Sequence, residues 1–152
     1  MNNNELLNKL LGIAKLHVVQ SEFIGEEKLH LMVVSTLPVA SCPDCGRVSN
    51  QIHDESEVQM IRDLSIAERR CYLMYRARRF KCEHCKKTFV ERVDWKRAGV
   101  SYTERYERYV YQRVRRESVS QVAQDEDLSE ETVQAIFEHR AKKRLRHAAT
   151  HK

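Results

Sequence analysis

The stretches Cys42-Pro43-Asp44-Cys45-Gly46 and Cys82-Glu83-His84-Cys85 decide the fold of this chain. In each stretch two residues separate two cysteines, a spacing that lets one tight turn direct both thiolates at a single ion. Two such turns make a closed tetrahedral site of four sulfurs, which suits a structural Zn²⁺ and leaves no open position for activating water. Iron accepts the same coordination, but nothing in the sequence asks for redox chemistry. The sequence therefore predicts Zn²⁺ as the cofactor, with the ligands Cys42, Cys45, Cys82 and Cys85.

Two alternatives to zinc remain open at this level, disulfides and two unrelated reduced pairs. The pairs are separated by 36 residues, 46–81, which is more than the usual spacer, so the sequence between them must form its own hairpin. Three other residues could bind metal. Cys71 lies in strand-like sequence and is expected to be a buried reduced thiol. His84 is expected to point to solvent, and His53 has no missing cysteine to replace.

The whole chain is small and basic. Its 152 residues hold one domain or two small ones, and its net charge of +5 suggests an anionic partner. Five cysteines without a signal peptide suggest a reducing cytosol, and the lack of a long apolar run predicts no membrane contact.

Within Arg69–Arg97, eleven basic and three acidic residues give a local charge of +8. Four cations near the cysteines could simply offset the charge of zinc plus four thiolates; these are Arg47, Lys81, Lys86 and Lys87.

Residues 1–97 are predicted to form a β-hairpin and zinc-ribbon domain. Leucines at helical spacing over residues 6–11 predict one short helix, which Gly12 ends. Alternating and aromatic-rich runs predict the strands that follow. The predicted strands are Leu16–Ile24, Leu29–Ser35, Val58–Leu64, Cys71–Phe80 and Thr88–Val93. The strand Cys71–Phe80 is expected to run straight into the second cysteine pair.

Residues 101–147 are predicted to form a three-helix helix-turn-helix domain with a basic C-terminal end. Apolar residues recur at four-residue steps from Tyr106, and Ser118 and Ser129 are good N-caps for the second and third helices. The turn before Ser129 lacks glycine, and Glu126 stands where an apolar residue would help packing. A plain helical bundle without a role in DNA binding is therefore the alternative. The fold class predicted from both parts is α+β.

Candidate DNA contacts fall in both predicted domains. Recognition helices meet base edges near their N-termini, so Gln134, which can pair with adenine, and Glu130, which can accept from cytosine, are candidates on the helix Ser129–Arg146. Arg76 and Arg78 are expected to share one strand face and to contact phosphates. The full set of predicted contacts is Arg76, Arg78, Arg79, Lys86, Lys87, Ser129, Glu130, Gln134, Arg140 and Lys143.

The two cysteine stretches and several flanking pieces resemble the N-terminal part of insertion-sequence transposases of the group called ISL three. The other matching pieces are His53-Asp54, Ile61-Arg62-Asp63-Leu64, Arg76–Cys82 and Thr88–Arg92. The resemblance covers nearly the whole chain and is strongest over residues 42–92. It implies a zinc module and a helix-turn-helix that recognise the element ends. The family's acidic-triad nuclease domain, which uses Mg²⁺, would begin where this chain stops, so no enzyme is predicted.

The sequence thus predicts specific binding of double-stranded DNA, as in the element-end recognition part of a transposase that lacks its nuclease domain. Two other functions stay open. One is a zinc-ribbon adaptor that binds an acidic protein partner and carries a helical dimerisation tail. The other is an RNA-binding module in which Tyr72, Tyr75 and Phe80 stack on bases. A homodimer is a further expectation, and the expected location is the bacterial cytoplasm, associated with the nucleoid.

Overall fold

The computed structural model describes residues 2–150, and of Thr150 only the backbone. Residue 1 of the first predicted domain lies outside the described residues. The chain divides into two compact units, the first ending at Ser101 and the second beginning at Tyr102. Strands dominate the first unit and helices the second, which confirms the predicted α+β class. The elements in chain order are α1 (Asn3–Leu11), β1 (Leu16–Ile24), β2 (Lys28–Ser35), β3 (Ala40–Ser41), β4 (Val48–Ser49), β5 (Ile52–Glu55), β6 (Gln59–Ile66), β7 (Arg69–Tyr75), β8 (Arg78–Cys82), β9 (Lys87–Val90), α2 (Glu104–Val114), α3 (Val119–Glu126) and α4 (Glu130–Thr150).

A four-stranded sheet in the order β1-β2-β7-β6 carries the largest core of the first unit. β1 and β2 form the predicted antiparallel hairpin, β2 runs parallel to β7, and β6 is antiparallel to β7. α1 begins with a capping box between Asn2 and Glu5 and ends at Gly12, whose φ of 66° favours glycine. Alternate strand residues point to one face and are buried there. The buried residues of this core are Leu11, Leu16, Val18, Leu29, Leu31, Val33, Ile61, Cys71, Leu73, Tyr75 and Trp95.

Two smaller sheets form the ribbon of the first unit. β3 pairs with β4, and β8 lies between β5 and β9 in an antiparallel three-stranded sheet. Phe80 on β8 stacks on Phe89 of β9 with ring centroids 6.0 Å apart, and both rings are buried beside Cys42 and Cys82. This core contains little besides two rings and a group of sulfurs. Metal binding is therefore the natural source of additional stability for the ribbon.

The prediction of one continuous strand over Cys71–Phe80 is wrong. The segment forms two strands, β7 and β8, which belong to different sheets and are separated by Arg76 and Ala77. Ser56 holds this break: its N–H donates to the Ala77 carbonyl at 2.8 Å, and its Oγ accepts from the Ala77 N–H at 2.9 Å. The sequence of alternating large residues is compatible with strand on both sides, so the break left no signal. Because Arg76 lies in the break, the expected alternation that would put Arg76 and Arg78 on one strand face does not apply.

The second unit is a three-helix arrangement with its own apolar core. Thr103 caps α2, Ser118 caps α3 through the Gln121 N–H, and the Ser129 Oγ accepts from the Thr132 N–H at 3.0 Å. The two caps predicted from the sequence are therefore present. The core residues are Tyr106, Val110, Val122, Ala123, Val133 and Ile136. No helix within the described residues has the length and hydrophobicity needed to cross a bilayer.

The turn between α3 and α4 is built without glycine. Asp127 takes the left-handed conformation at the end of α3 with φ 54°, which aspartate tolerates better than most residues. Glu126 is not a packing defect, because its carboxylate accepts hydrogen bonds from the hydroxyls of Tyr106 at 2.7 Å and Tyr109 at 3.1 Å. Arg113 also donates to Glu126 at 3.2 Å. The residue that looked unfavourable in the sequence joins α2 to the end of α3.

Candidate metal centre and nucleic-acid interface

The four cysteines predicted as ligands meet at one point of the ribbon. Their sulfurs all lie within 4.8 Å of one another, with 4.0 Å between the Sγ atoms of Cys42 and Cys85 and 3.6 Å between those of Cys45 and Cys82. The turn between β3 and β4 supplies the first pair, and the turn between β8 and β9 supplies the second. Within residues 2–150 this is the one group of three or more histidine, cysteine or acidic side chains close enough to share an ion.

The two cysteine turns have the same backbone design. In each, the residue after the second cysteine is left-handed, Gly46 with φ 74° and Lys86 with φ 58°. The N–H of that residue donates to the carbonyl of the first cysteine at 2.8 Å, from Gly46 to Cys42 and from Lys86 to Cys82. Glycine adopts this conformation at little cost, whereas lysine loses about 1–2 kcal/mol. Lys86 follows Cys85 in the sequence just as Gly46 follows Cys45. This matched position could have predicted the left-handed conformation of Lys86.

The environment of the thiols acts in opposite directions on two of the four cysteines. A hydrogen bond from the Cys85 N–H lowers the pKa of Cys82 to about 7, whereas the bond to Cys45 raises the pKa of Cys85 to about 12. Crowded sulfurs cannot all carry charge without a cation between them. When all four sulfurs bind one ion as thiolates, the thiols that are still protonated lose their protons, which makes the affinity for metal depend on pH.

The donor set fits a structural zinc ion. Four sulfurs from two short turns form a closed tetrahedral shell, the arrangement of structural Zn²⁺ sites, and leave no position for substrate or water. Cys71 lies outside this group, because it is fully buried in the core of the four-stranded sheet. His53 and His84 are exposed and also lie outside it. The predicted Zn²⁺ cofactor is confirmed. Closed four-sulfur sites of this kind are structural.

A buried ion pair that sequence reasoning missed lies beside the ribbon. Glu91 follows β9 and binds Arg78 through two hydrogen bonds, Nε to Oε1 at 2.9 Å and Nη2 to Oε2 at 2.7 Å. The Tyr75 hydroxyl donates to the same carboxylate at 2.6 Å. Burial raises the pKa of Glu91, but the bonds from Arg78 and Tyr75 outweigh burial and hold the pKa below its usual value. The Arg78 side chain is only 12% exposed, so little of this predicted phosphate contact can reach a ligand.

The other predicted contacts of the ribbon differ in their surroundings. Arg79 forms an ion pair with Asp54, in which Nε donates to Oδ1 at 2.7 Å, and Lys86 lies 3.2 Å from Glu83. Arg76 is exposed and donates to the Ser56 carbonyl at 3.3 Å, and Lys87 is exposed at the start of β9. Among the described residues, neither Arg76 nor Lys87 forms an ion pair with an acid. These two cations are therefore best placed to meet an anion.

The predicted contacts of the helical unit are all on α4 or at its start. Ser129 uses its hydroxyl to cap the helix, and Glu130 is exposed in the first turn. Gln134 is exposed and donates to Glu138 at 3.1 Å. Further along, Arg140 and Lys143 both contact Glu104 of α2, at 3.4 and 3.0 Å. The five residues are thus spread over the helix, and roles for them in DNA contact remain predictions.

A four-sulfur zinc ribbon followed by a helix-turn-helix is an arrangement typical of DNA-binding proteins. Residues 38–85 match the family described as the zinc-finger of transposase IS204/IS1001/IS1096/IS1165, and residues 91–141 match the helix-turn-helix domain of transposase family ISL3. The chain therefore carries the zinc ribbon and the helix-turn-helix of ISL3 transposases, and the resemblance predicted from the sequence is confirmed.

A curated relative extends this match beyond the two domains. The chain is 30% identical over 118 residues to the transposase for insertion sequence element IS1001 from Bordetella parapertussis. The aligned part is 78% of this chain and 29% of that transposase. No solved structure matches the chain. The similarity thus concerns a DNA-binding module of transposase type and less than a third of the relative.

Proposed function

We propose that the chain is a sequence-specific module for double-stranded DNA, equivalent to the part of a transposase that recognises the ends of its element. The observation that carries the proposal is the pairing of a zinc ribbon with a helix-turn-helix from the same transposase family in one chain. The net charge of +5 agrees with a polyanionic partner.

The structure changes which cations of the ribbon we expect to contact phosphates. Arg78 and Arg79 neutralise Glu91 and Asp54, so their main role is to hold β8 against its neighbours. Arg76 and Lys87 carry exposed charge and contact phosphates instead. Each contact that neutralises a phosphate adds about 0.9 to the slope of log affinity against log salt.

We further propose that residues 2–150 act by binding and not by catalysis. The support is that the matched families describe a zinc finger and a helix-turn-helix, and the metal-binding cluster is a closed set of four sulfurs. A supercoiled plasmid incubated with the purified chain and Mg²⁺ is expected to stay intact. Nicking that depends on one aspartate or glutamate would contradict the proposal.

Selection of binding sites from random duplexes tests the main proposal. An enriched motif is expected with the wild-type chain, followed by binding of that duplex in preference to scrambled duplex, single-stranded DNA and RNA. Arg76→Ala and Lys87→Ala are expected to weaken all sequences alike, and Lys9→Ala, on α1, is the control cation. The absence of any enriched motif at salt low enough for binding would contradict sequence-specific DNA binding and favour the protein-adaptor alternative.

The same selection bears on the homodimer. A protein that binds as a two-fold dimer enriches a palindrome with half-sites about one helical turn apart. We propose such a dimer for the DNA-bound state. A single asymmetric motif, together with one chain per duplex in sedimentation, would contradict it.

A further inference from the structure

We propose that the helical unit meets the phosphate backbone with the seam between α2 and α4, and not with the N-terminal face of α4. This inference rests on the proposed DNA binding and states which surface of the unit the duplex contacts. The seam is defined by five cations around Glu104 and Tyr111; these are Arg108, Arg115, Arg140, Lys143 and Arg144.

The N-terminal face of α4 carries the wrong charge for phosphate. Glu130, Glu131 and Glu138 are all exposed there, and the amide of Gln134 donates to Glu138 at 3.1 Å. These residues also line one open groove with Val119 of α3. A helix-turn-helix usually inserts this face into the major groove between two phosphate strands. Three carboxylates at that position would repel both strands.

One end of the seam has more positive than negative charge. The Glu104 carboxylate lies 3.0 Å from Lys143 and 3.4 Å from Arg140, so one acid faces two cations. Arg108 lies one turn further along α2 and is exposed. Its charge also acts on Glu104, where burial raises the pKa but Lys143, Arg140 and Arg108 together lower it. Glu104 therefore holds Arg140 and Lys143 in place but neutralises only one of their two positive charges.

The other end is organised by a stacked pair of rings. Tyr111 of α2 stacks on Phe137 of α4 with centroids 5.2 Å apart. The Arg115 guanidinium lies 5.9 Å from the Tyr111 ring centroid, and Arg144 donates to the Tyr111 hydroxyl at 3.4 Å. Two guanidiniums thus flank a ring that is fixed by packing. Both remain exposed.

The seam forms a continuous strip because of helix periodicity. Glu104, Arg108, Tyr111 and Arg115 are separated by three or four residues, so they lie along one face of α2. At 1.5 Å per residue the strip is about 16 Å long. Arg140, whose side chain is only 16% exposed, offsets Glu104. Four exposed cations then give the strip a net charge of +4; these are Arg108, Arg115, Lys143 and Arg144. A strip of this length and charge can follow several successive phosphates of one strand, which are about 3.4 Å apart along the DNA axis.

Salt-dependent binding of a fluorescent duplex to the full chain tests this assignment. Arg108→Ala and Arg115→Ala are expected to lower the salt slope by about 0.9 each, so that raising the salt fourfold costs about threefold less affinity. Glu104→Gln, which releases two cations from their shared acid, is expected to strengthen binding. The matched controls Lys142→Ala, Gln134→Ala and Glu131→Gln, which lie off the seam, are expected to leave the slope unchanged. Thermal melting checks that each variant is folded.

The outcomes separate the inference from the function on which it rests. No binding of the wild-type chain to any duplex would overturn the proposed function. Binding by the wild type with unchanged slopes for Arg108→Ala and Arg115→Ala would overturn the seam alone. The seam is also wrong if Gln134→Ala or Glu131→Gln alters affinity while Glu104→Gln does not, because the N-terminal face of α4 would then contact the DNA.

Discussion

At the scale of single residues, the local charge of +8 over Arg69–Arg97 has two different uses. Some cations are internal parts of the fold, as Arg78 is in its pair with Glu91, and others, such as Arg76, are exposed. The sequence shows the charge but not this division, because the acids that neutralise each cation lie far away in the chain. Asp54, for example, precedes its partner Arg79 by 25 residues.

The buried pair predicts a large effect for one carboxylate. Glu91→Ala leaves the Arg78 guanidinium, which is only 12% exposed, without its counter-charge and should lower the free energy of unfolding by about 3 kcal/mol. Urea unfolding of the zinc-loaded protein measures the change. Asp54→Ala removes the acid from the half-exposed Arg79 pair and serves as the control, with a much smaller effect expected. An equal decrease in the free energy of unfolding for both variants would mean that burial does not determine how much these ion pairs contribute to stability.

The same carboxylate predicts a dependence on pH. The pKa of Glu91 is lower in the folded state than the value near 4.3 of an unfolded chain, because the bonds from Arg78 and Tyr75 outweigh burial. Its contribution is therefore complete above about pH 4.3 and is lost as the pH falls through the folded pKa. In urea titrations, Glu91→Gln should flatten the acid limb of the stability curve. An unchanged acid limb would assign it to other carboxylates.

The ligand set predicts opposite results for two cysteines. Cys82→Ser should lose zinc, since three sulfurs make an open and weaker site, whereas Cys71→Ala should retain about one Zn²⁺ per chain. Metal analysis of both purified variants measures this. Cys71 is buried among Leu29, Leu31 and Leu73, so its loss is a packing change. Zinc loss from Cys71→Ala would show that the ligand set is wrong.

At the scale of secondary-structure elements, the sequence predicted best where one residue type decides the conformation. The helix stop at Gly12 and the caps at Ser118 and Ser129 depend on local hydrogen bonds, and all three are present. The break between β7 and β8 was missed, because it depends on a contact from Ser56, 21 residues earlier. Tertiary contacts of this kind leave no periodic pattern in the chain.

Glu126 gives a prediction for the helical unit. Glu126→Ala removes an acceptor shared by the hydroxyls of Tyr106 and Tyr109 and by Arg113, so it should destabilise the unit by about 2 kcal/mol. Glu117→Ala is the control, because Glu117 also binds Arg113 but is exposed. Thermal unfolding followed by circular dichroism measures both. A stabilising effect of Glu126→Ala would contradict this prediction and support the sequence-based expectation that an apolar residue packs better at this position.

At the scale of the whole molecule, the fold class and the clustering of four cysteines could be predicted from the sequence, because cysteine spacing and helical periodicity are local. The surface that we propose for DNA contact could not be read from the sequence. The residues predicted on α4 share one helix, but Arg140 and Lys143 lie beside α2, whereas Glu130 and Gln134 line a groove with α3. Only the packing of three helices shows which charges lie side by side.

Removing zinc should affect the two units differently. Trp95 is the single tryptophan of the chain and is buried against Tyr75, with ring centroids 5.1 Å apart. Tyr75 in turn binds Glu91, which follows a ribbon strand, so collapse of the ribbon should expose Trp95 and shift its emission to longer wavelength. The core of α2, α3 and α4 lies within the second unit, so the helical signal at 222 nm should largely persist. Titration with EDTA, followed by added Zn²⁺, records both signals on one sample. An unchanged tryptophan spectrum would show that zinc does not stabilise the core around Trp95. Loss of the helical signal together with the metal would show that zinc also stabilises the second unit.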